Sequence, residues 1–137
     1  MITKIMHIIA LFLIETFLQV AYYTLTIKYF DNIKFEDSFW EIFKDPLYFV
    51  GSVKVVFFLP VYLLLYLTVA KRVGSPLKLA LAHSLLFFIL FCLAFLFLPV
   101  NLFENYYDPV ILPSIAFLAS FFYFRIVWFP ARSVSAK

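Results

Sequence analysis

Apolar residues fall along this chain in four long runs, separated by short connections that hold most of its charge. The runs cover about Ile5–Ile27, Leu47–Ala70, Leu79–Leu98 and Val110–Phe129. Each approaches or exceeds the roughly 20 residues that cross a hydrocarbon core at about 1.5 Å per residue. The pattern predicts an all-α integral membrane protein. Its four antiparallel transmembrane helices form a single domain over 1–137, with Pro60 expected to kink the second helix by removing a backbone hydrogen bond. The first run follows Lys4 as a signal peptide would. It is too long, carries Glu15 and is followed by no small-residue cleavage site, so it is expected to be retained.

The longest connection carries a pattern of its own. Ser38 and Glu41 have the spacing of a capping box, and Pro46 is expected to end the helix begun there. Phe35, Phe39, Trp40 and Phe43 fall on one face at helical spacing, with Glu36, Asp37, Glu41 and Lys44 elsewhere. This predicts a short amphipathic helix over 38–45 lying on the outer membrane surface. Lipid alone satisfies such a face, so an interfacial anchor is the expected role; a docking surface for a partner is the alternative. Gly74, Ser75 and Pro76 sit in the short second connection, which makes the second and third spans a hairpin with Pro76 in the first helical turn.

Composition sharpens the class. Of 137 residues, 66% are hydrophobic and 14% charged, and a soluble domain this small has no interior for so much apolar side chain. Phenylalanine is abundant, at 20 residues, and glycine scarce, at 2. Glycine-poor spans disfavour the unwound helices that many transporters use. The single Cys92 excludes an internal disulfide, a CxxC redox centre and a thiolate metal site.

The net charge of +3 is a topology signal rather than a nucleic-acid signal. Lys4, Lys71, Arg72, Lys78, Arg132 and Lys137 fall on one side of the alternating spans, with no carboxylate among them. Asp31, Glu36, Asp37, Glu41, Asp45, Glu104 and Asp108 fall on the other, with Lys28, Lys34 and Lys44. The basic side is therefore expected to be cytoplasmic, with both termini there, in a multi-pass protein of the inner membrane. Aromatic belts agree: Tyr22, Tyr23, Tyr48, Phe103, Tyr106 and Tyr107 gather at the outer interface, and Trp128 and Phe129 mark the inner one.

Candidate chemistry rests on ionisable residues inside the runs, each costing about 2.5–3.5 kcal/mol at mid-membrane. Glu15 lies about 15 Å into the first span, with Gln19 one turn further on the same face. Lys54 enters the second span from the outer side by roughly 10 Å, within reach of both. A buried Glu15–Lys54 pair, or a Lys54 that snorkels outward, is expected ahead of a transport site on Glu15. His7, His83 and Arg125 are expected to cluster at the cytoplasmic third. Two histidines facing across a bundle could hold a haem axially, but polar side chains near helix ends more often make interfacial hydrogen bonds, and no cofactor is expected. Ala80/Ser84 and Ala116/Ser120 have the small-xxx-small spacing of closely packed helices.

No phosphate loop, HExxH or nucleophile elbow is present, so the chain is expected not to be an enzyme. Lipoprotein signal peptidases and quinone-linked disulfide oxidases are excluded by missing motifs and by the single cysteine. Glu15 is similar to the first-span glutamate of small multidrug transporters; that likeness stops at one residue, since those proteins are glycine-rich. The expected function is that of a non-catalytic membrane component: a subunit, an assembly factor or an immunity-type protein acting through lateral helix contacts and the outer loop. The alternative is a homo-oligomeric channel or proton-coupled carrier using Glu15. Expected partners are membrane lipids and either another membrane protein or a second copy of this chain; no nucleic acid is expected.

Overall fold

A computed structural model of the protein describes residues 2–30, 39–68, 72–97 and 108–130. Within them every regular element is helical. Helix α1 covers Ile2–Phe30 and α2 covers Phe39–Val53, which passes through a π-helical turn at Lys54–Phe58 into α3, Leu59–Thr68. Helix α4 covers Pro76–Phe97, and α5 covers Asp108–Tyr123 and ends in a second π-turn at Phe124–Trp128. Four stretches are long and apolar enough to cross a membrane: Ile2–Thr26, Phe43–Thr68, Pro76–Ala94 and Pro109–Trp128. They match the four runs read from the sequence to within a few residues.

Each helix buries one narrow stripe. In α1 the stripe is Ile8, Leu11, Phe12, Glu15, Thr16, Gln19, Val20 and Thr24, spaced by three and four as a 3.6-residue repeat requires. Met6, Leu13, Ile14, Leu18 and Leu25 point outward and are exposed. The usual order is inverted, because the costly polar groups are inside and the exterior is apolar. In α4 the stripe is Leu79, Ala80, His83, Phe87 and Phe91; in α5 it is Leu112, Ala116 and Ser120. Helices α4 and α5 share the most extensive contact, and α1 touches α2, α3 and α5. Ala80, Ala116 and Ser120 are fully buried, and Ser84 Oγ donates to the Pro113 carbonyl at 2.8 Å. The small-residue spacings thus mark helix faces that meet. Pro76 opens α4 as expected, and the Leu79 N–H reaches back to the Ser75 carbonyl at 3.1 Å to close the first turn.

Both π-turns end two residues before a proline. The N–H of Leu59 reaches five residues back to the Lys54 carbonyl, and that of Phe129 to the Phe124 carbonyl; Pro60 and Pro130 follow. A proline ring collides with the carbonyl four residues earlier, and widening the turn moves that carbonyl aside. The expected disturbance at Pro60 therefore takes the form of a wide turn on its N-terminal side.

Pro46 corrects the sequence reading. It does not end a surface helix over 38–45; it lies inside α2, which runs on into the second span. Phe43 is buried, with its ring 5.2 Å from that of Phe17 on α1, whereas Trp40 is largely exposed and meets the Phe43 edge at 5.7 Å. Phe43 thus docks onto α1, and the segment is part of a longer helix rather than a separate element. A helix that continues keeps its backbone groups bonded internally, and this outweighs the single hydrogen bond lost at Pro46. Phe35, Ser38 and the Phe39 side chain lie outside what is described, as do Lys71, Arg132, Lys137, Glu104 and the belt residues Phe103, Tyr106 and Tyr107.

Candidate functional site: a buried ion-pair network

Glu15 sits at the centre of the molecule and is completely buried. Lys54, the first residue of the π-turn, is 3% exposed and donates to Glu15 Oε1 at 2.6 Å and to Gln19 Oε1 at 2.7 Å. Gln19 Nε2 and the Tyr62 hydroxyl also donate to Glu15 Oε1, at 3.4 and 3.3 Å. His83 Nε2 donates to the second carboxylate oxygen, Oε2. The other ring nitrogen of His83, Nδ1, is 2.6 Å from the Tyr66 hydroxyl.

These contacts assign the histidine tautomer. A carboxylate only accepts, so Nε2 carries the hydrogen, and with the hydrogen on Nε2 the Nδ1 lone pair accepts a hydrogen bond from the Tyr66 hydroxyl. Four side chains, Lys54, Gln19, Tyr62 and His83, donate to Glu15. The result is an unbroken chain of hydroxyl, imidazole, carboxylate and ammonium drawn from α1, the first π-turn, α3 and α4. Such a chain can hold a separated charge pair away from water and pass a proton along its length.

The π-turn shapes this arrangement. Lys54, Phe58, Tyr62 and Tyr66 are all buried and recur every fourth residue. In a regular α-helix that spacing drifts by about 40° per step, or about 120° over three steps. The wide turn between Lys54 and Phe58 takes back part of the drift, so the ammonium and the Tyr62 phenol reach Glu15 while the Tyr66 phenol reaches His83 beside it.

Three rings complete the Lys54 environment. The ammonium lies 5.3, 5.9 and 5.4 Å from the ring centroids of Phe12, Phe58 and Phe87. Aromatic faces carry partial negative charge and attract a cation at this range. Two oxygens and three rings therefore replace the water that a free ammonium would bind.

Glu15, Gln19 and Lys54, grouped from the sequence, are brought together. The grouping of His7, His83 and Arg125 is corrected. His83 belongs to the Glu15 network, whereas His7 Nδ1 pairs with the Tyr123 hydroxyl at 2.7 Å and its ring meets the Trp128 edge at 5.7 Å. Arg125 is exposed. The two histidines are not paired with each other here: His83 is bonded to Glu15 and Tyr66, and His7 to Tyr123. Trp128 is buried against His7 and Phe124, with its indole N–H unpaired among the described residues. Among the described residues no group of three or more His, Cys, Asp or Glu side chains has the arrangement of a metal site.

Sequence reasoning missed Tyr62, Tyr66 and the three phenylalanines. The available signal was the fourth-residue repeat starting at Lys54, which places two mid-span hydroxyls on its own stripe.

The fold and site define a class: an all-helical protein with four membrane-length apolar helices around a buried acid–base network. Comparison with protein-family models, with characterised proteins and with solved structures gives no match.

Proposed function

We propose that this chain is a non-catalytic, multi-pass component of a cytoplasmic (inner) membrane, a subunit or assembly factor that binds another membrane protein along its apolar exterior. In this reading the four helices are antiparallel with both termini cytoplasmic, as the one-sided distribution of Lys and Arg requires. One observation carries it: both carboxylate oxygens of Glu15 are bonded to internal partners, and the residue is fully buried. A carboxylate held this way fixes helices to one another. A carrier's carboxylate must instead meet its cargo, and so needs access from outside. The apolar exterior supports lateral packing: Val55, Val56, Phe57, Leu85, Leu96, Leu118, Phe122 and Ile126 are all exposed large side chains.

The test is extraction in a mild detergent or into native nanodiscs, followed by mass determination of the intact particle. A stoichiometric second protein is expected. A homo-oligomer that conducts ions or protons, with flux abolished by Glu15→Gln, would overturn the reading in favour of a carrier or channel.

A further inference from the structure

The Lys54 pocket has more features than an ion pair needs. A salt bridge requires one carboxylate, whereas this ammonium also meets the Gln19 carbonyl and the rings of Phe12, Phe58 and Phe87, each at 5.3–5.9 Å from its nitrogen. All six lining side chains, Phe12, Glu15, Gln19, Phe58, Phe87 and Tyr62, are buried. They come from α1, the π-turn, α3 and α4, so the pocket depends on the tertiary fold. Its chemistry is selective. Two oxygens are too few for a metal cation, which takes six or more oxygen ligands in calcium sites and near-octahedral ones in magnesium sites. Aromatic faces around a carboxylate are instead the arrangement that recognises organic ammonium groups.

We propose that Glu15, Gln19 and the Phe12–Phe58–Phe87 cage form a binding site for a primary alkylammonium group, which the chain's own Lys54 occupies as a tethered ligand. With Lys54 in place the site is closed to outside cations. When Lys54 is withdrawn, a free ammonium compound of the same shape takes its position. The proposal does not depend on the partner reading above, since it concerns the interior and not the outer faces.

Replacing Lys54 by alanine removes three carbons and the nitrogen, which is the outline of n-propylammonium. The experiment measures thermal unfolding of the full-length Lys54→Ala protein in detergent, in n-propylammonium chloride against sodium chloride at equal ionic strength. The expected result is a saturable rise in Tm of about 3 °C or more in Lys54→Ala. No rise is expected in the wild type, in Lys54→Met, whose side chain fills the space, or in Lys54→Ala/Glu15→Gln. Adding Phe87→Leu to Lys54→Ala should raise the half-saturating concentration several-fold. If Lys54→Ala does not fold in sodium chloride, the readout becomes recovery of monodisperse protein when n-propylammonium is present from extraction onward. A Lys54→Ala protein indifferent to n-propylammonium, or not recovered in either salt, overturns the proposal. So does an equal response in the Glu15→Gln double variant, or a half-saturation unchanged by Phe87→Leu.

Discussion

Lys54 and Glu15 should be worth little as a pair and a great deal singly. At 2.6 Å their attraction is about 6 kcal/mol at an effective dielectric constant of 20. Desolvating two ions offsets most of that, so replacing both by neutral groups is close to neutral. Removing one partner leaves a bare buried charge and costs about 3–5 kcal/mol. The perturbation is therefore a double-mutant cycle of Lys54→Met and Glu15→Gln. The assay is equilibrium unfolding in mixed micelles, followed by fluorescence of Trp40 and Trp128, the only two tryptophans. Each single variant should lose about 3–5 kcal/mol, and the double variant should regain most of it, giving a coupling of about 3 kcal/mol or more. Singles that lose under about 1 kcal/mol, or effects that add to within about 0.5 kcal/mol, would refute the buried pair and favour a Lys54 that reaches out to water.

Two further outcomes follow from the geometry. Tyr66→Phe removes the donor to His83 Nδ1 and should cost about 1 kcal/mol by the same unfolding assay, more than Tyr62→Phe, whose hydroxyl is 3.3 Å from Glu15. An equal or reversed order would show that the His83 link is not formed. Ala116→Leu forces a large side chain into the fully buried contact of α5 and should cost about 1–3 kcal/mol, whereas Leu85→Ala on the exposed face of α4 should stay within about 0.5 kcal/mol. Comparable losses at the two positions would mean that the α4–α5 faces are wrongly assigned.

The helices and half of the network could be read from the sequence. Length and hydropathy locate spans, and depth at 1.5 Å per residue puts Glu15, Gln19 and Lys54 at compatible levels. The His83–Glu15 contact is not legible from backbone depth alone, because counting 1.5 Å per residue leaves out the reach of the two side chains. Tyr62 and Tyr66 were hidden for a different reason. Their alignment with Lys54 depends on a π-turn, and regular helical geometry rotates them away. Pro46 misled because proline marks a helix end in water more strongly than where the helix goes on into an apolar run.

The sequence separation of the charge pair has a consequence in time. Lys54 follows Glu15 by 39 residues and His83 follows it by 68. At about 5–20 residues per second, Glu15 is made about 2–8 s before its counter-charge has been synthesised, and the imidazole comes later still. In the membrane setting proposed here, α1 begins its life with an unanswered carboxylate at its centre, helped only by Gln19 on its own face. Its insertion is provisional until the second span arrives to hold it. In a chain that lacks Lys54 the carboxylate would wait longer still, until His83 arrived with the third span.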